Sequence, residues 1–315
     1  MIFVLINHGL KWTGTVQGLG RTEVNLFFVI SGLLTAISLE SIRKKNQNVF
    51  VELPRKRAWR IVPTLLAFVL LCCAVRALQG NEESWPGFLY PFWANYASPK
   101  GGFSHLWSIA CEMHFYLLSP LVFWIGTRGK AGAVALGVIF LALCACAAAN
   151  AYLQILIEKP IQLKALFDNK YSTHVAVWPM LLGFAWYLNR FRIPEWLAVR
   201  FRKHLVALMV IAHAALIGIL YVGSPALTVL VSVGLIPLLF FTFQEKRALG
   251  GKLGSALVWV GQRTFSIYLI QQMLTLELPA PKEWRPLGAL LALPLGAIFY
   301  FLVEKRFVAS HSKST

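Results

Sequence analysis

The stretch SHLWSIACEMHFYLLSP, residues 104–120, opens an apolar run long enough to cross a bilayer and carries a carboxylate, Glu112, well inside it. A hydrocarbon core about 30 Å thick needs roughly 20 apolar residues of helix, and the run at 106–125 has that length. A charged carboxylate at the centre of such a helix costs about 2.5–3.5 kcal/mol on insertion scales unless it is paired, neutral or wetted. Counting by threes and fours places His105, Ser108, Glu112, Tyr116 and Ser119 on one helix face. Leu106, Ile109, Ala110, Met113, Leu117 and Leu118 occupy most of the rest, and His114 lies off the stripe. One polar stripe on an apolar span is expected to face a bundle interior. Glu112 is then either a functional carboxylate or one bonded to neighbouring helices purely to fix packing.

Similar apolar runs fill the chain. With 57% hydrophobic residues, 14% charged residues and a mean hydropathy of +0.63, the composition excludes an ordinary soluble domain. Spans are expected near 23–41, 61–79, 106–125, 131–156, 174–189, 205–222, 226–243, 255–276 and 286–303. A tenth, at 1–10, reads as a truncated first helix without the basic flank and cleavage site of a signal peptide. The expectation is an all-α integral membrane protein, a bundle of about ten transmembrane helices forming a single domain over 1–315. Cys72, Cys73, Cys111, Cys144 and Cys146 all lie in apolar runs without zinc-ligand spacing, so they read as small buried residues, and no metal site is expected.

A net charge of +17 could suggest nucleic acid, but its distribution points to topology. If the first segment runs from inside to outside, the loops at 42–60, 126–130, 190–204 and 244–252 and the C-terminal tail share one face. They hold twenty of the thirty lysines and arginines. This is the positive-inside pattern, with both termini cytoplasmic and no nucleic-acid partner.

Three further features stand out. In RTEVNLFFVISGLLTAISLE, residues 21–40, Phe28, Ser31, Gly32, Thr35 and Ser38 form a second stripe of mostly small residues suited to close helix packing. Ser31 reads as a packing residue, because a nucleophilic serine needs an adjacent base and its own segment supplies none. His8, in VLINHGLKW, falls near the outer face at a depth similar to Glu112. It is either an interfacial residue or a general base that a carboxylate could orient. In FVELPRKRAWRIVP, residues 50–63, Arg57 and Arg60 stand at i, i+3. They are either topology signals or a phosphate site at the inner face, since guanidinium groups bind phosphate oxygens bidentately.

Taken together, these segments resemble the acyltransferase 3 family, bacterial membrane enzymes that O-acylate sugars on polysaccharides, lipopolysaccharide and related acceptors. VNLFFVISGLL resembles the family's second-helix motif, RKRAWRIVP its R-x-x-R motif with Arg57 and Arg60, and HLWSIACEMHFYLLSPL its acidic segment with Glu112. QRTFSIYLIQQ and YFLVEKRF resemble its last two helices. Asn25 stands where an aspartate is common, Gln271 where the YL motif usually ends in histidine, and Arg306 replaces a frequent proline. The resemblance implies a ten-helix bundle, acyl-CoA (acetyl-CoA foremost) as donor substrate with no tightly bound cofactor, and a sugar, glycan or lipid-linked sugar as acceptor. It implies His8 as the catalytic base; with the readings above, the expected site adds Glu112 as its catalytic partner, donor binding by Arg57 and Arg60, and support from Ser108 and Tyr116 on the Glu112 stripe and from Ser31 and Asn25. A bacterial cell-membrane location in contact with lipids follows. Two rival readings are a transporter of a glycan or lipid-linked intermediate, since intramembrane His and Glu also make proton relays, and an inactive relative acting as a scaffold.

The charge asymmetry makes a direct prediction. A reporter fused after Lys45 should read as cytoplasmic and one fused at Ser98 as external. The opposite pattern would put Arg57 and Arg60 on the side without CoA.

Overall fold

The computed structural model describes residues 19–80, 90–97, 103, 105–156, 172–189, 251–274 and 285–307, with isolated positions at 196, 211, 236 and 240. Among the described residues all regular structure is helical: α1 (Leu19–Lys44), α2 (Val49–Leu78), α3 (Tyr90–Ala97), α4 (Leu106–Gly126), α5 (Gly129–Leu156), α6 (Thr173–Ala176), α7 (Trp178–Leu188), α8 (Gly251–Gln272) and α9 (Arg285–Phe299), the last continuing into a π-helical turn, Tyr300–Glu304. The expected segment at 1–10 lies outside the described residues, as do the spans at 205–222 and 226–243 apart from positions 211, 236 and 240.

Among the described residues five helical segments are long and apolar enough to cross a membrane: Glu23–Lys44, Val49–Leu78, Leu106–Gly126, Gly129–Ala149 and Pro286–Phe307. In α5 only 11% of the most apolar window is buried by protein. A helix apolar all round with so little burial needs lipid as its solvent. Leu117, Leu118, Val134, Val138, Leu141 and Leu290 are exposed in the same way.

Two expected boundaries differ from the observed ones. The helix expected from 61 begins at Val49, so Arg57 and Arg60 lie on a helix rather than in an inner loop. Asn48 is the reason: its side chain accepts the Phe50 N–H, capping the helix and shortening the connection after α1. The span expected at 174–189 is broken at Val177, where Pro179 enters the first turn of α7.

The core lies where α1, α2, α4 and α7 meet, with Phe28, Phe68, Leu106, Met180 and Phe184 fully buried. The tightest junction is α1 on α7. A Cβ built on Gly32 would fall 1.8 Å from the Met180 carbonyl oxygen, and one on Gly183 would fall 2.0 Å from the Val29 carbonyl oxygen. Each helix therefore offers a glycine to the other's backbone, the close approach that small residues permit between membrane helices. Gly296 does the same for α9 against Ile267 of α8, at 2.6 Å from its Cα.

Glycine to alanine normally favours a helix by up to about 1 kcal/mol. At Gly32 and Gly183 the sign should reverse, because backbone atoms cannot move aside. Gly32→Ala and Gly183→Ala should lower the thermal unfolding midpoint in detergent, whereas Gly137→Ala, with open space around it, should keep or raise it. Equal behaviour at all three positions would contradict the close packing.

Candidate active site

The polar stripe of α4 is buried as its spacing requires: His105, Ser108, Glu112, Tyr116 and Ser119 are each at most 7% exposed. Pro120, in the same helix, cannot donate a backbone bond to the carbonyl of Tyr116. Ser119 takes its place, its Oγ donating to the Tyr116 carbonyl at 3.2 Å. The stripe thus repairs its own helix where a freed carbonyl would otherwise sit in an apolar setting.

Glu112 receives its partners from two helices. Ser31 of α1 donates from Oγ to Glu112 Oε1 at 2.5 Å. The Tyr116 hydroxyl donates to the same oxygen at 3.0 Å, and the two hydroxyl oxygens are 2.7 Å apart. The three side chains form a closed triangle of oxygens, all buried. Hydroxyl-to-carboxylate bonds are among the stronger kinds and replace part of the lost hydration. Ser31 is held in register by its own helix, where Thr35 Oγ1 donates to the Ser31 carbonyl at 2.7 Å.

Arg57 joins the same group. Its guanidinium carbon lies 4.9 Å from the centre of the Tyr116 ring, and Nη2 donates to Ser38 Oγ at 3.4 Å. Arg57 and Arg60 both interact electrostatically with Glu112. From the sequence, the cations and the carboxylate were expected in two sites at opposite faces. They lie instead in one seam between α1, α2 and α4, because α2 starts early enough to carry Arg57 alongside Tyr116.

The N-terminal end of the stripe is tied to α8. Ser108 Oγ and the Tyr268 hydroxyl are 2.7 Å apart, and Tyr268 donates to the His105 carbonyl at 3.0 Å. The His105 ring packs edge-on against Tyr268 and Phe68. A narrow cleft between α1, α4 and α8 runs from Glu23 past Ser108 and Tyr268 to Glu112. His114 points elsewhere, its Nδ1 2.7 Å from Thr173 Oγ1, to which Asn95 also donates at 2.7 Å. Asn25 is buried on α1.

Of the residues singled out from sequence, the fold brings together Glu112, Tyr116, Ser31 and Arg57, with Arg60 within electrostatic reach. Ser108 sits one turn away with its own partner, and His8 lies outside the described residues. Two groups escaped the sequence reading. One is Tyr268. The other is Glu304, which is 1% exposed at the end of the π-turn, accepts a bond from Ser266 Oγ at 2.6 Å, and interacts electrostatically with Arg60. Its signal was available: a carboxylate ending an apolar run raises the same question as Glu112. Among the described residues no cluster of metal-binding side chains occurs.

Burying the Glu112 carboxylate with one donor removed should cost about 1–3 kcal/mol. Ser31→Ala should therefore destabilise the protein more in the parent than in a Glu112→Gln background, measured by thermal unfolding in matched detergent. Purely additive losses would show that the triangle is not an energetic unit.

The acyltransferase 3 family, described as an acyltransferase domain, matches residues 1–304. No curated protein and no solved structure matches the chain. The match spans nearly the whole sequence, including the three helices of the seam around Glu112: the chain belongs to the acyltransferase 3 family and is a multi-pass membrane acyltransferase.

Proposed function

We propose that this protein is an O-acyltransferase of the bacterial cell membrane, moving an acyl group, acetyl in the simplest case, from acyl-CoA at the cytoplasmic face to a hydroxyl of a sugar or glycan acceptor. The observation that carries the reading is the seam itself: a buried carboxylate, two hydroxyls and an arginine side chain within one cluster. Acyl transfer from a thioester needs a group to take the hydroxyl proton and donors for the oxyanion that forms on the carbonyl carbon.

In this scheme His8 takes the proton from the acceptor hydroxyl as its oxygen attacks the thioester carbonyl. The C–S bond then breaks, and the departing thiolate takes the proton from the imidazolium. Glu112 orients His8 and stabilises its charged form. Ser31 and Tyr116 hold the carboxylate in place at rest, and Tyr116, which has one hydroxyl proton to donate, turns it from the carboxylate to the oxyanion as that charge forms. Arg57 reaches the seam from the side of the basic loops, and Arg60 is exposed beside it, an arrangement suited to phosphate oxygens of a CoA entering there. Both chain termini are cytoplasmic in this orientation.

Residues sharing one step lose activity non-additively. His8→Ala should abolish acyl transfer to the glycan and Glu112→Gln should reduce it severely. The double variant should be little worse than His8→Ala, with acylation read by mass spectrometry at matched protein levels. General-base help is typically worth about 10²–10⁴ in rate. Full activity in either single variant would defeat the scheme. Arg57→Ala and Arg60→Ala should raise the apparent KM for acyl-CoA, and unchanged CoA binding in both would reduce them to topology signals.

A further inference from the structure

A second polar site lies two helical turns beyond Tyr116, on a different side of α1. It is an open cavity of about 450 Å³ where the C-terminal ends of α1 and α7 meet the turn between α4 and α5. Arg43 lines it from α1, Lys130 from the first turn of α5, and Thr127 and Asn189 from the neighbouring helix ends. One carboxylate, Glu40, also borders it. Glu40 is already engaged, with Lys44 Nζ at 3.2 Å and a hydrogen bond from the Tyr187 hydroxyl. Neither Arg43 nor Lys130 has a carboxylate partner among the described residues; Arg43 rests over the Phe123 ring at 5.4 Å. The site therefore carries two uncompensated positive charges, and the free N–H groups at the start of α5 add to them.

Its depth is marked by the adjacent pair on α4 and its turn. The Arg128 guanidinium stacks 3.5 Å from the ring centre of Trp124, which is 46% exposed. Exposed tryptophan with arginine at a span end is the signature of the headgroup layer. The cavity shares no lining residue with the cleft that reaches Glu112. What binds here is thus not the group being transferred.

We propose that this cavity is a binding site for the phosphate of an anionic phospholipid headgroup. Basic pockets between membrane helices at the headgroup level recognise lipid phosphates in this way. The volume is roughly that of fifteen waters at about 30 Å³ each, enough for a phosphoglycerol group rather than a lone ion. The phosphate chemistry is shared with the nucleotide end of CoA, so the test must separate the two sources. The inference does not depend on the acyl-transfer scheme.

The experiment uses the full chain purified in detergent, titrated with short-chain phosphatidylglycerol, phosphatidylcholine or CoA, with bound ligand read by native mass spectrometry. The parent should bind phosphatidylglycerol in preference to phosphatidylcholine. At about 1 kcal/mol per cation, Arg43→Gln and Lys130→Gln should each weaken phosphatidylglycerol binding about fivefold, and the pair about 25-fold. The charge-preserving pair Arg43→Lys with Lys130→Arg should retain it. A parent without that preference, or unchanged phosphatidylglycerol binding in the double glutamine variant, would overturn the proposal. So would a loss confined to CoA, which would assign the cavity to the nucleotide. A photoreactive phosphatidylglycerol on the unaltered protein gives a second readout needing no variant: crosslinks should map to the end of α1 and the start of α5, and crosslinks confined to other helices would contradict the assignment.

Discussion

A carboxylate inside a membrane span has to be given hydrogen-bond donors by the protein, since lipid offers none, and the arrangement around Glu112 follows from that requirement. Its own helix supplies one donor, Tyr116, a single turn away. The second has to cross from another helix, and Ser31 does so at 2.5 Å. A hydrogen bond between side chains of two helices constrains the distance between α1 and α4 and the rotation of each about its axis. The polar stripe could not tolerate a slip of one residue in either helix without leaving the carboxylate facing an apolar side chain.

The reach of Ser31 depends in turn on the opposite side of α1. Gly32, the next residue, presses the backbone of α1 onto Met180 of α7, and Gly183 returns the contact at Val29. The helix is clamped between a glycine seam and a hydrogen-bonded seam that fall on adjacent residues. With α1 fixed, α2 can bring Arg57 against the Tyr116 ring and Ser38. The positive charge then lies beside the buried negative one without a direct ion pair among the described residues. Tyr116 thus carries the cation over its ring and donates its hydroxyl to the carboxylate in the interior. Glu304 repeats the pattern on a smaller scale, where a π-turn carries it to Ser266. Such turns are frequent at functional sites.

How far the sequence could be read depended on whether a feature was local to one helix. The face of α4 was legible, because threefold and fourfold spacing places His105, Ser108, Glu112, Tyr116 and Ser119 together whatever surrounds them, and all five are buried. The spans expected at 23–41, 106–125 and 131–156 were legible for the same reason, and the resemblance carried by HLWSIACEMHFYLLSPL agrees with the family match. Read from its own segment, Ser31 is a packing residue, because its hydrogen-bond partner stands 81 positions away and a single sequence carries no distance between helices. Arg57 and Arg60 were placed in a loop because hydropathy begins the span where the charges stop. Asn48 was the missed signal: a helix cap just ahead of the charges starts the helix before they are reached. The broken segment around Val177 was equally visible in principle, in the Pro179 that follows it.

The central claim is that the Ser31–Tyr116–Glu112 cluster is where the acyl group meets its acceptor, rather than a structural knot remote from the chemistry. It is tested most directly by an acyl-CoA carrying a photoreactive group at the end of a short acyl chain, bound to the full-length protein in membranes, irradiated, and mapped by mass spectrometry. The account predicts crosslinks to the segments of α1 and α4 that contain Ser31 and Tyr116, suppressed by excess acetyl-CoA. Competable crosslinks found solely in helices that do not border this seam would contradict it.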